Sequence, residues 1–221
     1  MWRALSLCIV LTTLPTMAAA QPVPAADSPP TTRLQALQAI EHPEPAVRRA
    51  AVARLGEVGT MADTDRLVAR LTDDDAPVRQ LAEAALWQVW SRSGDRTVDA
   101  LFFRGVQQMA ASNLVEALAT FTEIIRRKPA FAEGWNKRAT VYFLLGQYQL
   151  SMKDCDEVLK RNAKHFGALS GYGQIYLALG DPERALPYLE RALKVNPDMD
   201  GVATTIHQIE AYREQKRRRM I

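Results

Sequence analysis

The stretch LSGYGQIYLALGDPERALPYLERALKVNP, from Leu169 to Pro197, decides the fold of this chain. Gly173 and Tyr176 lie three residues apart, which places them one turn apart on the same helical face. Pro197 ends a second helix, because proline lacks an amide hydrogen and clashes with the preceding turn. Small residues between these points, such as Ala185, allow two helices to approach closely. The stretch therefore predicts a helical hairpin.

The same register recurs twice towards the N-terminus, at steps of about 34 residues. The second copy contains Trp135, Ala139, Tyr142 and Gly146, and the third contains Leu101, Gly105, Ala117, Phe121 and Pro129. A helix-turn-helix unit with a period of about 34 residues is typical of tetratricopeptide repeats (TPRs), which this half of the chain resembles. The resemblance implies three units over residues 98–199. We expect an all-α fold, a helical-hairpin repeat superhelix of the αα-solenoid type.

A second kind of repeat precedes these units, over residues 33–92. The segments Glu44–Gly56 and Ala76–Trp87 align at an offset of about 31 residues, which is shorter than the period of the larger HEAT repeats. Each has a proline, Pro45 or Pro77, near the start of a helix. This pattern resembles the short HEAT-like repeats of many bacterial proteins. Because two units are few for a solenoid whose units must cover one another, we expect the pair to pack against the TPR block.

The N-terminal segment, residues 1–20, has the pattern of a secretory signal peptide. It combines one positive charge, an apolar run and the small residues Ala18, Ala19 and Ala20. The mature chain would begin with a proline-rich flexible leader, residues 21–32. This pattern predicts an exported protein, periplasmic if the source is bacterial. The alternative is an uncleaved membrane anchor.

The C-terminal segment, residues 200–221, predicts a capping helix that covers the last repeat. Val202, Ile206, Ile209 and Tyr212 recur at helical spacing. A basic end follows, formed by Lys216, Arg217, Arg218 and Arg219. It is either a solvated helix end or a weak contact with anionic lipid or an acidic partner.

Net charge and cysteine content limit the functions that the sequence can indicate. The 221 residues carry a net charge of +3, too little to indicate a nucleic-acid partner. A chain that begins at Gln21 keeps one cysteine, Cys155, which is interpreted as a small buried hydrophobic residue or as a reactive thiol. The oligomeric state is not indicated.

No catalytic constellation is evident, and we predict no enzyme activity, metal or cofactor. None of the three histidines lies at metal-ligand spacing to another histidine or to Cys155. HEAT-like repeats also occur in a bacterial group that attaches or removes bilin chromophores. That resemblance permits one alternative function, an enzyme or accessory subunit of the chromophore-lyase kind.

The TPR resemblance also implies a groove, because the first helix of each unit lines the concave face in this family. The candidate partner-binding residues are Phe102, Phe103, Val106, Asn136, Lys137, Thr140, Phe143, Gln174 and Leu177. Asn136 and Lys137 resemble part of the carboxylate clamp of co-chaperone TPRs, but the clamp is incomplete. The apolar members either bind a peptide or partner helix, or pack internally. We predict an exported scaffold that binds a protein or peptide, with a role in envelope assembly or recruitment.

Overall fold

The computed structural model describes residues 28–219, and within this range the chain is helical and contains no β-strand. The predicted signal peptide and most of the predicted leader lie outside the described residues. The helices are α1 (Arg33–Ala39), α2 (Pro45–Val58), α3 (Thr64–Ala69), α4 (Ala76–Trp90), α5 (Arg96–Ala110), α6 (Leu114–Arg127), α7 (Ala132–Leu144), α8 (Tyr148–Arg161), α9 (Phe166–Ala178), α10 (Pro182–Val195) and α11 (Asp200–Arg219). The all-α solenoid fold is confirmed.

Helices α1 to α4 form the two HEAT-like hairpins. Thr32 and Gln35 form a capping box at the start of α1, and the Asp75 carboxylate accepts from the amide of Val78 at the start of α4. These side chains satisfy amide groups that a helix start leaves without partners. The hairpins enclose a core that includes Leu55, Leu71, Ala82 and Leu86, all buried.

Arginines tie the acidic turn before α4 to helix α2. Arg48 lies 2.7 Å from Asp73, and both side chains are almost fully buried. Burial alone would raise the pKa of Asp73, but the hydrogen bonds from Arg48 and from the amide of Asp75, together with the charge of Arg48, outweigh it and lower the pKa. A hydrogen bond from Arg49 likewise lowers the pKa of Asp75 to about 2. The turn is therefore held ionised against α2.

Helices α5 to α10 form three hairpins whose turns recur in the same register. The turn residues Ser112, Gly146 and Gly180 all have positive φ values, of 60°, 71° and 74°. Glycine adopts this conformation without strain, whereas serine does not. Within the last hairpin, a Cβ at Gly173 would collide with the side chain of Leu189, so only glycine permits this close packing of α9 on α10.

The connection between the two repeat types is fixed by side chains from both sides. Arg92 donates to the carbonyl oxygens of Gly56 and Gly59 at 2.7 and 2.9 Å. Lys128 at the end of α6 donates to the carbonyl oxygen of Ser93. Residues 91–95 are therefore a short bend held at both ends.

The HEAT-like hairpins pack against the TPR block, as the sequence predicts. Phe166, the first residue of α9, belongs to the HEAT-like core, and Val195 and Met199 pack against the same core. Ion pairs join the blocks at the surface, between Arg79 and Asp198 at 2.7 Å and between Lys164 and Asp65 at 2.7 Å. The two blocks share one interior.

Helix α11 covers the exposed end of the last hairpin. Val202, Ile206 and Ile209 are buried in a cluster with residues of α10. Tyr212 is 54% exposed, so the packed face of α11 ends one turn earlier than its sequence spacing predicts. Residues 216–219 are exposed, and Arg217 and Arg218 each lie 3.0 Å from Glu214. Contact of this basic end with anionic lipid stays a prediction.

Candidate functional site

The first helices of the three TPR hairpins, α5, α7 and α9, lie side by side. Val106, Thr140 and Gln174 occupy equivalent positions on these helices, one in each repeat, and all three side chains are exposed. The Thr140 hydroxyl donates to the carbonyl oxygen of Asn136 at 3.0 Å, which holds that side chain along its own helix. These residues form an open column across the three helices.

The apolar part of this surface lies on α5. Phe103 is 65% exposed and Val106 is 36% exposed. They lie three residues apart and so occupy neighbouring turns of one helical face. We call this pair the α5 patch.

Phe102 is a core residue, so its assignment as a binding anchor is wrong. Its ring lies 6.1 Å from the ring of Phe121 and 5.5 Å from that of Phe131, and only 8% of the residue is exposed. One residue along a helix turns a side chain by about 100°. This rotation places Phe103 in solvent and Phe102 between α5 and α6.

Phe143 and Leu177 are partly buried and are not free anchors. The Phe143 ring lies 5.6 Å from that of Tyr148, the first residue of α8. Leu177 packs against the cluster that holds α10 and α11 together. Phe143 therefore joins the two helices of its own hairpin, and Leu177 contacts the cluster under the capping helix. Both follow the internal-packing alternative.

Asn136 is buried and Lys137 is partly buried, and both already contact a carboxylate of the chain. The Asn136 amide donates to the two oxygens of Glu133 at 3.0 and 3.1 Å, and the Lys137 ammonium lies 3.2 Å from the same group. Glu133 is buried. The remnant of a clamp is therefore satisfied internally, which corrects the sequence-based assignment.

His165 completes the environment of Glu133. Its Nε2 atom lies 2.9 Å from the Glu133 carboxylate, and the amide of Ala168 donates to its Nδ1 atom at 3.1 Å. Because Nδ1 accepts, Nε2 carries the hydrogen and donates to Glu133. Burial alone would raise the pKa of Glu133, but the hydrogen bond from His165, the charge of Lys137 and the hydrogen bond from Asn136 outweigh it and lower the pKa.

Two tryptophans of α4 cover this polar group. The Trp90 ring stacks on His165 with centroids 4.5 Å apart, and the Trp87 ring lies 5.5 Å from His165. The Lys137 ammonium lies 5.7 Å from the Trp87 centroid. A Cβ at Gly167 would come within 2.6 Å of Trp87. The chain itself thus fills the N-terminal half of the expected groove on α7 and α9.

One signal for the contact between α4 and the TPR block lies in the sequence outside the repeat pattern. Trp87 and Trp90 lie three residues apart on a helix of a block already expected to dock. Phe166 stands at the position that Ala132 occupies in the preceding unit. A large aromatic residue that occurs at this position in a single repeat indicates a contact with something outside the repeats.

Other candidate chemistry is not assembled in the part of the chain that the structure describes. Residues 28–219 contain no group of three or more acidic, histidine or cysteine side chains that could hold a metal ion. Cys155 is buried, and burial raises the pKa of its thiol to about 12. It is thus a small hydrophobic residue and not a reactive thiol. No helix within these residues is long and apolar enough to cross a membrane.

Comparison with known proteins supports both repeat types. Residues 18–87 match the family model for HEAT repeats, and residues 131–198 match that for tetratricopeptide repeats. A TPR repeat-containing protein of Rhizobium etli is 37% identical over 108 residues, which cover 49% of this chain and 53% of that protein. The human FK506-binding protein-like is 41% identical over 59 residues, 27% of this chain and 17% of that protein. The chain thus spans about half the length of the first relative and less of the second.

Two solved structures share the helical-hairpin fold. The Sgt2 TPR domain from Aspergillus fumigatus gives a TM-score of 0.52 at 20% identity and covers 56% of this chain and 83% of that one. The first TPR domain of human RPAP3 gives 0.51 at 22% identity, with 55% and 95% covered. At these identities they establish the fold alone. The matches to both family models, together with the paired helices, show that the chain carries HEAT repeats followed by tetratricopeptide repeats.

Proposed function

We propose that the chain is an exported scaffold that binds a peptide or partner helix on the open part of its TPR surface, with a role in envelope assembly or recruitment. The signal-like residues 1–20 support export, to the periplasm if the source is bacterial. A TPR neighbour of similar fold, the first TPR of Spaghetti (RPAP3), has been solved bound to the HSP90 peptide SRMEEVD, at a TM-score of 0.50 and 23% identity.

The observation that carries the proposal is the exposed α5 patch, whose Val106 is also the first residue of the open column. Phe103 and Val106 leave apolar surface in solvent, whereas Phe102 on the same helix is buried. Thr140 and Gln174 continue the surface with polar side chains that can hydrogen-bond to a peptide. An amphipathic helix or an extended peptide with apolar anchors fits such a surface.

The ligand we propose is apolar in character, unlike the acidic HSP90 peptide. The groups that could hold a ligand carboxylate, Asn136 and Lys137, are bound to Glu133. A second carboxylate placed there would meet the buried negative charge of Glu133 at close range and would be repelled.

The test compares the wild type with a Phe103→Asp/Val106→Asp variant in a crosslinking pull-down from the native envelope fraction. One buried interface anchor is commonly worth about 2 kcal/mol, or about 30-fold in affinity, so the loss of both should weaken partner binding by more than about 30-fold, and by about 1,000-fold if the two contributions add. The matched control is Val115→Asp on α6, because Val115 is 72% exposed and lies on the second helix of the same hairpin. Circular dichroism checks that all variants are folded.

A set of partners that is lost from the double variant and kept by the Val115→Asp control supports the proposal. Equal recovery from all three proteins would refute the α5 patch as the binding surface. If partners are recovered, each is purified and titrated with the wild type and both variants by isothermal calorimetry, which measures the change in affinity directly.

A further inference from the structure

A cavity of about 180 Å³ lies between the two repeat blocks, away from the α5 patch. Its walls come from the HEAT-like block, the connection and the starts and ends of three TPR helices. The lining residues are Met61, Trp90, Arg92, Ser93, Lys128, Ala130, Phe131, Ala132, Arg161 and Asn162. A protein cavity of about 150 Å³ accommodates benzene, so this one has room for a ligand built on a six-membered ring.

Two of the lining residues carry buried donor groups that have no hydrogen-bond partner among the described residues and almost no accessible surface, so these groups lie behind the cavity wall. They are Nε1 of Trp90, a residue that is 2% exposed, and Nδ2 of Asn162, a residue that is 8% exposed. The Asn162 side-chain oxygen accepts from the amide of Lys164 at 3.2 Å, which leaves the NH₂ group as its free end. Asn196, at the equivalent position one repeat later, has a similar free NH₂ group but does not line this cavity.

The charged side chains of the lining are all cationic. Within residues 28–219, Arg92 and Lys128 donate to backbone carbonyl oxygens of α2 and the connection and not to carboxylates. Burial lowers the pKa of Arg92, and the more distant charge of Asp99 opposes the effect. Arg161 is paired with Glu157 at 2.7 Å. Two positive charges at the cavity are thus uncompensated by direct ion pairs in the described part of the chain.

We propose that this cavity binds a small organic carboxylate. Its apolar body packs against the rings of Trp90 and Phe131, and its carboxylate accepts from the Arg92 and Lys128 side chains. The same chemistry is presented by a free aromatic acid and by the C-terminal phenylalanine of a peptide. The site shares no residue with the α5 patch, so an experiment that refutes one proposal does not refute the other.

The test is isothermal titration of the purified mature chain with benzoate and with benzamide, which has the same ring but no charge. We expect benzoate to bind and benzamide to bind at least tenfold more weakly. Lys128→Gln should weaken benzoate binding about tenfold, since a hydrogen bond to a charged group is lost. Lys153→Gln, which removes one exposed positive charge outside the cavity, is the matched control and should bind as the wild type does. Ala132→Leu should fill the cavity and abolish binding.

A second arm separates the two sources of the carboxylate. It uses acetyl-Gly-Gly-Phe with a free C-terminus and the same peptide with a C-terminal amide. Tighter binding of the free-acid peptide than of benzoate, sensitive to Lys128→Gln, identifies a chain terminus as the ligand; tighter binding of benzoate identifies a free acid. Equal binding of benzoate and benzamide, no binding of either, or unchanged binding by folded Lys128→Gln and Ala132→Leu variants would overturn the proposal.

Discussion

Replacement of Phe166 by alanine tests whether the two repeat blocks depend on one another for stability. Phe166 belongs by sequence to the third TPR unit, yet it is 1% exposed within the HEAT-like core. Its ring lies 5.2 Å from the rings of both Trp87 and Trp90. Truncation of a buried phenylalanine commonly costs about 3–5 kcal/mol, and each aromatic pair contributes about 0.5–1.5 kcal/mol beyond its buried area. We expect a loss of about 4 kcal/mol of unfolding free energy at the junction.

The assay is native-state hydrogen exchange, read at the amides of α2 and α4. A loss of about 4 kcal/mol at the junction corresponds to an increase of about 1,000-fold in the opening equilibrium of the HEAT-like block. Phe121→Ala is the matched control, because Phe121 is also fully buried but lies within the first TPR hairpin. The reasoning is refuted if Phe166→Ala changes exchange in α4 by less than about fivefold, or no more than Phe121→Ala does.

Two further predictions concern a buried charge and a strained turn. Glu133→Gln should lower the unfolding free energy at pH 7 by about 2 kcal/mol, because it weakens hydrogen bonds to a charged group. The pKa of Glu133 is lowered on folding from its ordinary value of 4.5, so its stabilisation is complete above that pH and is lost as the pH falls through the lower folded value. Urea melts from pH 7 to pH 3 should therefore show a flatter pH dependence for the variant, and parallel curves would contradict the assignment. Ser112→Gly should raise the unfolding free energy by about 1 kcal/mol, since Ser112 has a φ of 60°; a lower stability in thermal melts would show that the serine side chain matters more than its backbone strain.

The fold could be predicted from the sequence because its determinants are local and periodic. The TPR register fixes where hairpins turn and where small residues permit close packing, as Gly173 does against Leu189. The shorter offset of the HEAT-like segments and the prolines near helix starts define the first two hairpins in the same way. Even the docking of the blocks followed from a general requirement, since a short solenoid must cover its ends.

The candidate site was harder to predict because a register gives the direction of a side chain but not what covers it. Lys137 and Phe103 stand at equivalent positions of successive repeats, yet Lys137 lies under Trp87 and Phe103 is in solvent. The difference arises from α4, which is distant in sequence. The prediction for Phe102 was wrong for another reason. Its side chain packs against Phe121 of α6, the second helix of the same hairpin.

The cost of uncovering the part of the TPR surface under α4 would confine the proposed ligand to the open part around Phe103 and Val106. A ligand at the buried carboxylate of Glu133 would have to displace α4 and expose Trp87, Trp90 and Phe166 to water. Full exposure of a large apolar side chain costs about 1.5–3 kcal/mol, so the three together oppose displacement by about 5–9 kcal/mol. A single interface anchor returns only about 2 kcal/mol or somewhat more. A partner therefore gains more by binding at Phe103 and Val106, where nothing has to move, than by opening the junction.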